Sequence, residues 1–215
     1  MSDVRIRRGT REDADFIAWV MLAASRAHLK RGPWDLIIGS DDAGCLEYLR
    51  RLAVAEPRSM AHYESFFVAD VERGAAAALC GFKPDEAAWV TVGTAMAIVQ
   101  RDLGWTDEDV AASHRRSQLF ETCYPPDAGA DWCIDFVATR PEFRRRGLVD
   151  ALLHEAMREG VERGAKLAQI VQFVGNDPAQ AAYEKVGFTV LDEWCSPEFE
   201  AAMGARGFRR LMRRL

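Results

Sequence analysis

Residues 139 to 149 read Thr-Arg-Pro-Glu-Phe-Arg-Arg-Arg-Gly-Leu-Val and join an apolar, strand-like run to an amphipathic helix through a turn rich in arginine. Pro141 and Gly147 mark the turn, and the spacing predicts a helix that begins near Leu148. The first turn of a helix has backbone N–H groups without partners inside the helix, and the helix dipole adds roughly half a positive charge there. The junction is therefore predicted to bind an anion, with phosphate as the natural ligand.

The residues on either side of the turn support this assignment. Upstream, apolar residues make a run that favours a β-strand. Downstream, apolar residues recur at spacings of three and four, and Gly164 stands where a left-handed residue would end the helix. The upstream residues are Trp132, Ile134, Phe136 and Val137, and the downstream ones are Val149, Leu152, Leu153, Ala156, Met157 and Val161.

Two other interpretations of the three arginines stay open at this point. They are typical of a solvated charge run that precedes a helix by chance. They are also typical of nucleic-acid binding, but the chain has a net charge of −5 and no further basic stripe with interleaved aromatic residues. We therefore expect no nucleic-acid partner.

Length and composition favour a single domain over residues 1–215, because 49% of the residues are hydrophobic and enough apolar surface is available for a substantial core. No segment is apolar over the length of a membrane span, and the N-terminus lacks the apolar stretch of a signal peptide. We expect no membrane association and a cytoplasmic location. The five cysteines and four histidines are scattered without metal-ligand spacing, so we expect reduced thiols and no metal site.

Strands and helices alternate along the chain in an order typical of an α/β or α+β mixed sheet with helices on its faces. Thr10 caps the first helix, and residues 30–44, rich in Gly, Pro and Asp, are predicted to form a loop. A second loop is predicted between the last two strands. Strands are predicted at 4–7, 66–71, 75–82, around 132–139, and at 167–174, 188–194 and 208–215.

Residues 84–131 interrupt the series of strands and contain two predicted helices. Thr106 caps the second helix, with Asp109 three residues later in a variant of the capping box. A helical insertion of this length indicates a cover over a site or a dimerisation element, and one surface can serve both purposes. Several aromatic residues of the insertion would line an apolar pocket or form the insertion's own core: Trp89, Trp105, Phe120 and Tyr124.

The segment from Ile134 to Phe188 resembles the GNAT superfamily of acyl-CoA-dependent N-acyltransferases. The family signature Gln/Arg-x-x-Gly-x-Gly/Ala is matched by Arg144-Arg145-Arg146-Gly147-Leu148-Val149 in every place but the last, where Val149 replaces a small residue. A second family signature is matched by Asn176, Ala179 and Tyr183, and Gly187-Phe188 completes the usual ending. Two independent signatures in the right order are far more specific than either alone.

The resemblance implies a mostly antiparallel, twisted central sheet whose central strands splay apart and hold acetyl-CoA between them. A β-bulge near the end of the first of these strands would leave backbone groups free for the cofactor. The backbone N–H groups of Val137 and Ala138 would polarise the acyl carbonyl, and the amides of residues 145–149 would hold the pyrophosphate. The complete set of residues expected to bind the cofactor is Val137, Ala138, Thr139, Arg144, Arg145, Arg146, Gly147, Leu148, Val149, Asn176, Ala179 and Tyr183.

Acyl transfer to an amine needs a base for the amine proton and an acid for the departing thiolate. Asp135 is the first candidate for the base or for acceptor binding, and the alternative is an exposed or salt-bridged strand residue. The resemblance implies that Tyr183 is the acid, and the alternative is an aromatic residue packed in the core. Asn176 bonds the cofactor or caps a short helix, and Lys185 meets the adenosine phosphate or is solvated. Reserve candidates for the base are Glu121, Asp131 and His114.

The leading hypothesis is thus an N-acetyltransferase that uses acetyl-CoA in a ternary complex with a small-molecule or peptide amine. The insertion that would select the acceptor has no pattern that identifies it, and the negative net charge mildly favours a cationic amine. The alternatives are a degenerate acyl-CoA-binding module that senses the cofactor or binds a partner, and a structural homodimer without a cofactor. A homodimer is also possible for the active enzyme.

Overall fold

The computed structural model describes residues 4–72, 74–86 and 89–215, and its centre is a seven-stranded sheet. The strand order is β1-β2-β3-β4-β5-β7-β6, and every neighbouring pair is antiparallel except β4 and β5. The strands are β1 Arg5–Arg8, β2 Phe66–Val71, β3 Gly74–Phe82, β4 Trp132–Thr139, β5 Leu167–Phe173, β6 Thr189–Cys195 and β7 Gly207–Arg214. The expected mixed, mostly antiparallel sheet is confirmed.

Eight α-helices surround the sheet in the described part of the chain. They are α1 Ala14–Arg26, α2 Pro33–Ile38, α3 Asp42–Leu52, α4 Trp89–Asp102, α5 Asp107–Glu121, α6 Leu148–Glu162, α7 Asp177–Lys185 and α8 Pro197–Met203. Helices α4 and α5 form the expected insertion before the fourth strand. None of the helices in these ranges is both long and apolar enough to cross a membrane.

Helices cover both faces of the sheet because its strands bury side chains on both sides. In β2, Phe66 and Val68 pack with α1 and α3 on one face, whereas Phe67 and Ala69 pack with α6 on the other. A third cluster around Phe173 and Phe208 joins the far strands to α8 and the end of the insertion. All five cysteines are free thiols and four of them are buried, as expected.

Two short helices occupy segments that the sequence analysis assigned to loops. Helix α2 lies inside the predicted loop at 30–44, with Pro33 in its first turn, and the left-handed Gly39 ends it. Pro at the start of a helix and Gly just past its end are the usual signals of a helix. Both signals are present in α2, but the loop-like composition of residues 30–44 hid them. Helix α8 fills the predicted loop between β6 and β7, and Ser196 caps it by accepting a hydrogen bond from the Phe199 amide at 3.3 Å.

The end of α2 is held by the insertion. Arg116 of α5 donates from Nε to the carbonyl of Leu36 at 2.5 Å and from Nη2 to the carbonyl of Ile37 at 3.2 Å. Ser113 donates to the same Ile37 carbonyl at 2.6 Å. The last carbonyls of a helix have no partners inside the helix, so these side chains complete α2 and fix α5 against it.

We therefore expect Arg116→Ala to lower the free energy of unfolding by about 1–2 kcal/mol, because half-buried carbonyl groups lose a charged donor. Thermal denaturation should show a melting temperature lower by about 3–6 °C. The matched control is Arg115→Ala, which removes an exposed ion pair with Glu108 and should cost less than about 0.5 kcal/mol. Equal losses in the two variants would contradict the capping role of Arg116.

Candidate functional site

The candidate site is the gap that opens where β4 and β5 separate. The two strands pair at Trp132, Cys133 and Ile134, opposite Ala168, Gln169 and Ile170, and the pairing ends there. On the other side of β4, the register with β3 shifts between Ala78 and Cys80. Phe136 and Val137 thus both lie opposite Leu79, and Phe136 has a left-handed φ of 50°. This bulge interrupts the ladder and bends β4 away from β5.

The turn after β4 leads directly into α6 and has the geometry of an anion site. Gly147 precedes α6 with a left-handed φ of 77°, and no side chain of the described residues caps the start of the helix. The side chains of Arg144, Arg145 and Arg146 are exposed. Within residues 4–72, 74–86 and 89–215, none of the three forms an ion pair with a carboxylate. Unneutralised guanidinium groups and free amides together attract a phosphate.

Arg145 has a left-handed backbone, with φ of 61°. A residue with a Cβ atom is strained in this conformation, which glycine adopts without penalty. Arg145 was expected at the site from its charge and its place in the family signature, but no local signal showed that the turn needs a left-handed residue at this position.

The structure brings most of the predicted cofactor residues together. Val137 of β4, Leu148 and Val149 of α6, and Ala179 and Tyr183 of α7 pack in one apolar cluster beside the gap. Thr139 ends β4, and its hydroxyl is buried without a hydrogen-bond partner in the described part of the chain. Ala138 lies on the other face, packed against the cluster that contains α1.

Asn176 and its neighbours lie at the start of α7. Asn176 occupies the N-cap position, although its side chain makes no capping hydrogen bond. Asp177 is the first residue of the helix. Lys185, at the end of α7, pairs with Asp150 of α6.

Asp135 lies at the fork itself, one residue past the last pairing of β4 with β5. The Phe136 amide donates a hydrogen bond to its Oδ1 at 2.7 Å. Burial raises the pKa of Asp135 to about 6, and the hydrogen bond from Phe136 opposes part of that rise. A carboxyl group of this kind changes its protonation state near neutral pH, as a proton acceptor in catalysis must.

Tyr183 is buried and lies within electrostatic reach of Asp135. Burial raises the pKa of Tyr183, and the negative charge of Asp135 raises it further. The phenol therefore stays protonated at neutral pH and is able to donate a proton. Cys133, the thiol beside Asp135, has its pKa raised to about 12 by burial and stays uncharged as well.

The three reserve candidates for the base lie away from the fork. Asp131 accepts hydrogen bonds from the amides of Lys166 and Leu167, both at about 3 Å, and these bonds lock the start of β5. Glu121 and His114 are exposed on α5. None of the three lies at the fork, where Asp135 is placed.

Tyr124 of the insertion lies within electrostatic reach of Asp135, and Arg210 of β7 holds the segment that carries it. The ring of Tyr124 meets Phe208 edge to face at 5.2 Å, and desolvation and the charge of Asp135 raise its pKa. Arg210 is 4% exposed, pairs with Asp192 and donates to the carbonyl of Pro126. The sequence analysis missed Arg210, because no local pattern indicates that a strand arginine is buried.

The other insertion aromatics have different surroundings. Trp105 packs against Tyr48 with ring centres 5.6 Å apart, and Phe120 packs against Phe199 at 5.9 Å, so both are half-buried residues packed against the core. The side chain of Trp89 lies outside the described part of the structure.

A cavity of about 240 Å³ lies at the end of the sheet opposite the gap, beside the last residues of β3. It contains none of the predicted site residues. Three of its guanidinium groups, those of Arg8, Arg58 and Arg163, already pair with glutamates. In the described ranges, no group of three or more His, Cys, Asp and Glu side chains is arranged to hold a metal ion.

Comparison with known proteins agrees with this geometry. A model described as the acetyltransferase (GNAT) family matches residues 46–188 of the chain. Over 59 residues the chain is 37% identical to a protein named mycothiol acetyltransferase from Corynebacterium aurimucosum. That match covers 27% of this chain and 19% of the corynebacterial protein, so it spans less than a fifth of that relative's length.

Solved structures resemble the whole chain. A crystal structure of an acetyltransferase has a TM-score of 0.70 and 17% sequence identity, with 98% of each chain covered. An N-acetyltransferase from Staphylococcus aureus Mu50 has a TM-score of 0.67 and 17% identity, with 97% of this chain and 100% of that chain covered. At these identities the likeness shows a shared fold.

The strained turn yields a direct test. We expect Arg145→Gly to raise the free energy of unfolding by about 1 kcal/mol, because glycine relieves the left-handed strain. The melting temperature should rise by about 2–4 °C in thermal denaturation. The matched control, Arg144→Gly, replaces a residue with an ordinary extended backbone and should lower stability instead. A loss of stability in both variants would contradict the assignment of strain to Arg145.

Proposed function

The chain belongs to the acetyltransferase (GNAT) family, and on that premise we propose that it transfers an acetyl group from acetyl-CoA to a primary amine by direct attack in a ternary complex. One observation carries the proposal: where β4 and β5 separate, the fork lies between a turn with exposed arginines that leads into α6 and the Asp135 carboxyl group, which is within electrostatic reach of the Tyr183 phenol.

The residues around the fork fit a nucleotide thioester. The amides of residues 145–149 and the three arginines would hold the pyrophosphate. The buried hydroxyl of Thr139, which has no partner among the described residues, would contact the arm of the donor that contains amide bonds. Asn176 follows β5 and lies at the start of α7. The amides of Val137 and Ala138, at the bulge, would polarise the acyl carbonyl.

Asp135 is proposed as the base. An alkylamine has a pKa of about 10.4 and is mostly protonated at neutral pH, so a proton must leave before the nitrogen can attack. The Asp135 carboxylate accepts that proton, directly or through water, and the nitrogen then bonds to the thioester carbonyl carbon. The pKa of about 6 leaves Asp135 ionised at neutral pH and still basic enough to act.

Tyr183 is proposed as the acid that completes the reaction. When the carbon–sulfur bond breaks, the sulfur leaves as a thiolate whose conjugate thiol has a pKa of about 8.5. The Tyr183 phenol gives its proton to that sulfur. The acylated nitrogen releases its second proton to solvent, which reprotonates the phenol and leaves a neutral amide and a free thiol. A direct transfer is favoured over an acyl-cysteine intermediate, because the pKa of the Cys133 thiol is about 12 and a thiolate would be needed for attack.

The acceptor is proposed to enter from the side of the insertion. Arg210 donates a hydrogen bond to the carbonyl of Pro126 and so holds the segment that contains Tyr124. Tyr124 lies within electrostatic reach of Asp135 and would contact the amine. One carboxylate beside aromatic rings suits a cationic amine, which the net charge of −5 would also attract. The name of the corynebacterial relative refers to mycothiol, but that match covers only 27% of this chain.

We also propose that the protein forms a homodimer through the exposed β6 edge of the sheet. Strand β6 forms the edge of the sheet, and its large apolar side chains are unusually exposed: Val190 by 42%, Leu191 by 56% and Trp194 by 41%. Exposed apolar edge strands tend to pair with another strand, so β6 of a second copy would be the partner. We also propose a cytoplasmic location.

The proposal is tested by binding and turnover together. Acetyl-CoA should raise the melting temperature of the wild type, and a panel of amines and peptides should contain an acceptor that accelerates thiol release. Tyr183→Phe should lower kcat for that acceptor about 100-fold and leave the Kd of acetyl-CoA unchanged, because only proton donation is lost. Stabilisation without turnover on any acceptor would favour the degenerate binding module. The absence of both effects would favour a structural protein without a cofactor.

The role of Asp135 is tested by pH. With the same acceptor, we expect Asp135→Asn to lower kcat/KM about 100-fold at pH 8. The ratio of wild-type to variant kcat/KM should fall towards one as the pH is lowered through about 6, because the carboxylate is protonated there and the amine titration cancels in the ratio. Glu121→Gln is the control and should leave the profile unchanged. A ratio that is independent of pH would exclude Asp135 as the base.

A further inference from the structure

Gln172 of β5 carries a buried carboxamide that has no hydrogen-bond partner among the described residues. The residue is 7% exposed, and neither its Oε1 nor its Nε2 finds a partner in the part of the chain that the structure describes. Buried amide groups in proteins are almost always hydrogen-bonded, because an unpaired one loses its hydration without compensation. An unpaired carboxamide of this kind therefore needs an explanation, and a ligand is one.

The register places Gln172 across the gap from the bulge. Pairing between β4 and β5 ends at Ile134 and Ile170. Continued by two residues, the same register would bring Phe136 opposite Gln172, but the strands have separated there. Gln172 thus lies on the β5 wall at the level of Phe136 and Val137, where the acyl group is proposed to bind.

The face of the strand is also defined. Side chains alternate along a strand, so Gln172 shares the face of Ile170. Ile170 packs in the cluster that contains Leu148 and Tyr183, which is the side of the sheet covered by α6 and α7. Gln172 is therefore on the same face as Tyr183, the residue proposed to protonate the departing sulfur.

Two more buried polar atoms without partners belong to the same side of the sheet. They are the hydroxyl of Thr139, which shares the face of Val137 on the β4 wall, and Oε1 of Gln180 on α7. Unpaired donors and acceptors thus occur on both walls of the gap and on the helix beside it. A ligand with both N–H and C=O groups, such as an extended arm with amide bonds, would satisfy them.

We propose that the carboxamide of Gln172 hydrogen-bonds the amide of the donor arm closest to the thioester and so helps to place the acyl carbonyl against the bulge of β4. This inference rests on the proposed function, because it takes acetyl-CoA as the donor. The carboxamide suits the task because it offers a donor and an acceptor from one side chain.

The test uses Gln172→Met, which keeps the length of the side chain and removes both amide atoms. Isothermal titration calorimetry should show that the Kd of acetyl-CoA rises about tenfold, a change of about 1.4 kcal/mol. Adenosine 3′,5′-bisphosphate, which lacks the arm, should bind the variant and the wild type equally. The melting temperature of the unliganded variant should not fall, because the lost amide had no partner to give up. Gln172→Leu provides the same comparison if the methionine variant does not fold.

Gln169→Met is the matched control. Gln169 is on the same strand but on the opposite face, where its Nε2 donates to the Cys133 sulfur at 3.5 Å, and its substitution should leave acetyl-CoA binding unchanged. Unchanged acetyl-CoA binding by Gln172→Met would overturn the inference, and so would an equal loss for both nucleotides, which indicates distortion. If the wild type does not bind acetyl-CoA at all, the proposed function itself fails, and that result is distinct from either of these.

Discussion

The site depends on one break in hydrogen bonding: β4 and β5 pair over three residues and then separate. In a regular parallel pair the backbone groups would satisfy one another along the whole length. Here the bulge at Phe136 and Val137 turns β4 away, and β5 is held on its other side by β7 over its full length. The gap is therefore rigid on both walls, because each diverging strand is still part of a sheet.

The electrostatics of the gap differ between its two ends. At the open end, the guanidinium groups of the turn are exposed and lack carboxylate partners among the described residues, so they remain free for an anion. At the fork, burial keeps Tyr183 and Cys133 protonated and makes Asp135 a weaker acid than usual. The open end would suit a charged phosphate, and the fork would suit a reacting thioester. The last residues of β4 separate these two environments.

The insertion is part of the same architecture. Helix α5 completes the end of α2 through Arg116 and Ser113, and the segment after α5 is fixed to β7 by Arg210. Tyr124 lies between these two attachments and approaches Asp135 from the face opposite α6. The insertion thus shapes the side of the fork that is proposed to receive the acceptor, and its packing against two elements limits how far that side can move.

Much of this protein was predictable from its sequence, because the relevant signals are local. Apolar spacing and capping residues gave α6, the capping box of Thr106 and most strands, and two short signatures indicated the family. Helices α2 and α8 were not predicted, because each is too short to show a clear apolar periodicity and both lie in segments predicted to be loops. The left-handed Arg145, the burial of Arg210 and the unpaired Gln172 were decided only by the tertiary structure. Each depends on backbone geometry or on neighbours distant in sequence, and a residue's own type does not report whether those neighbours will satisfy it.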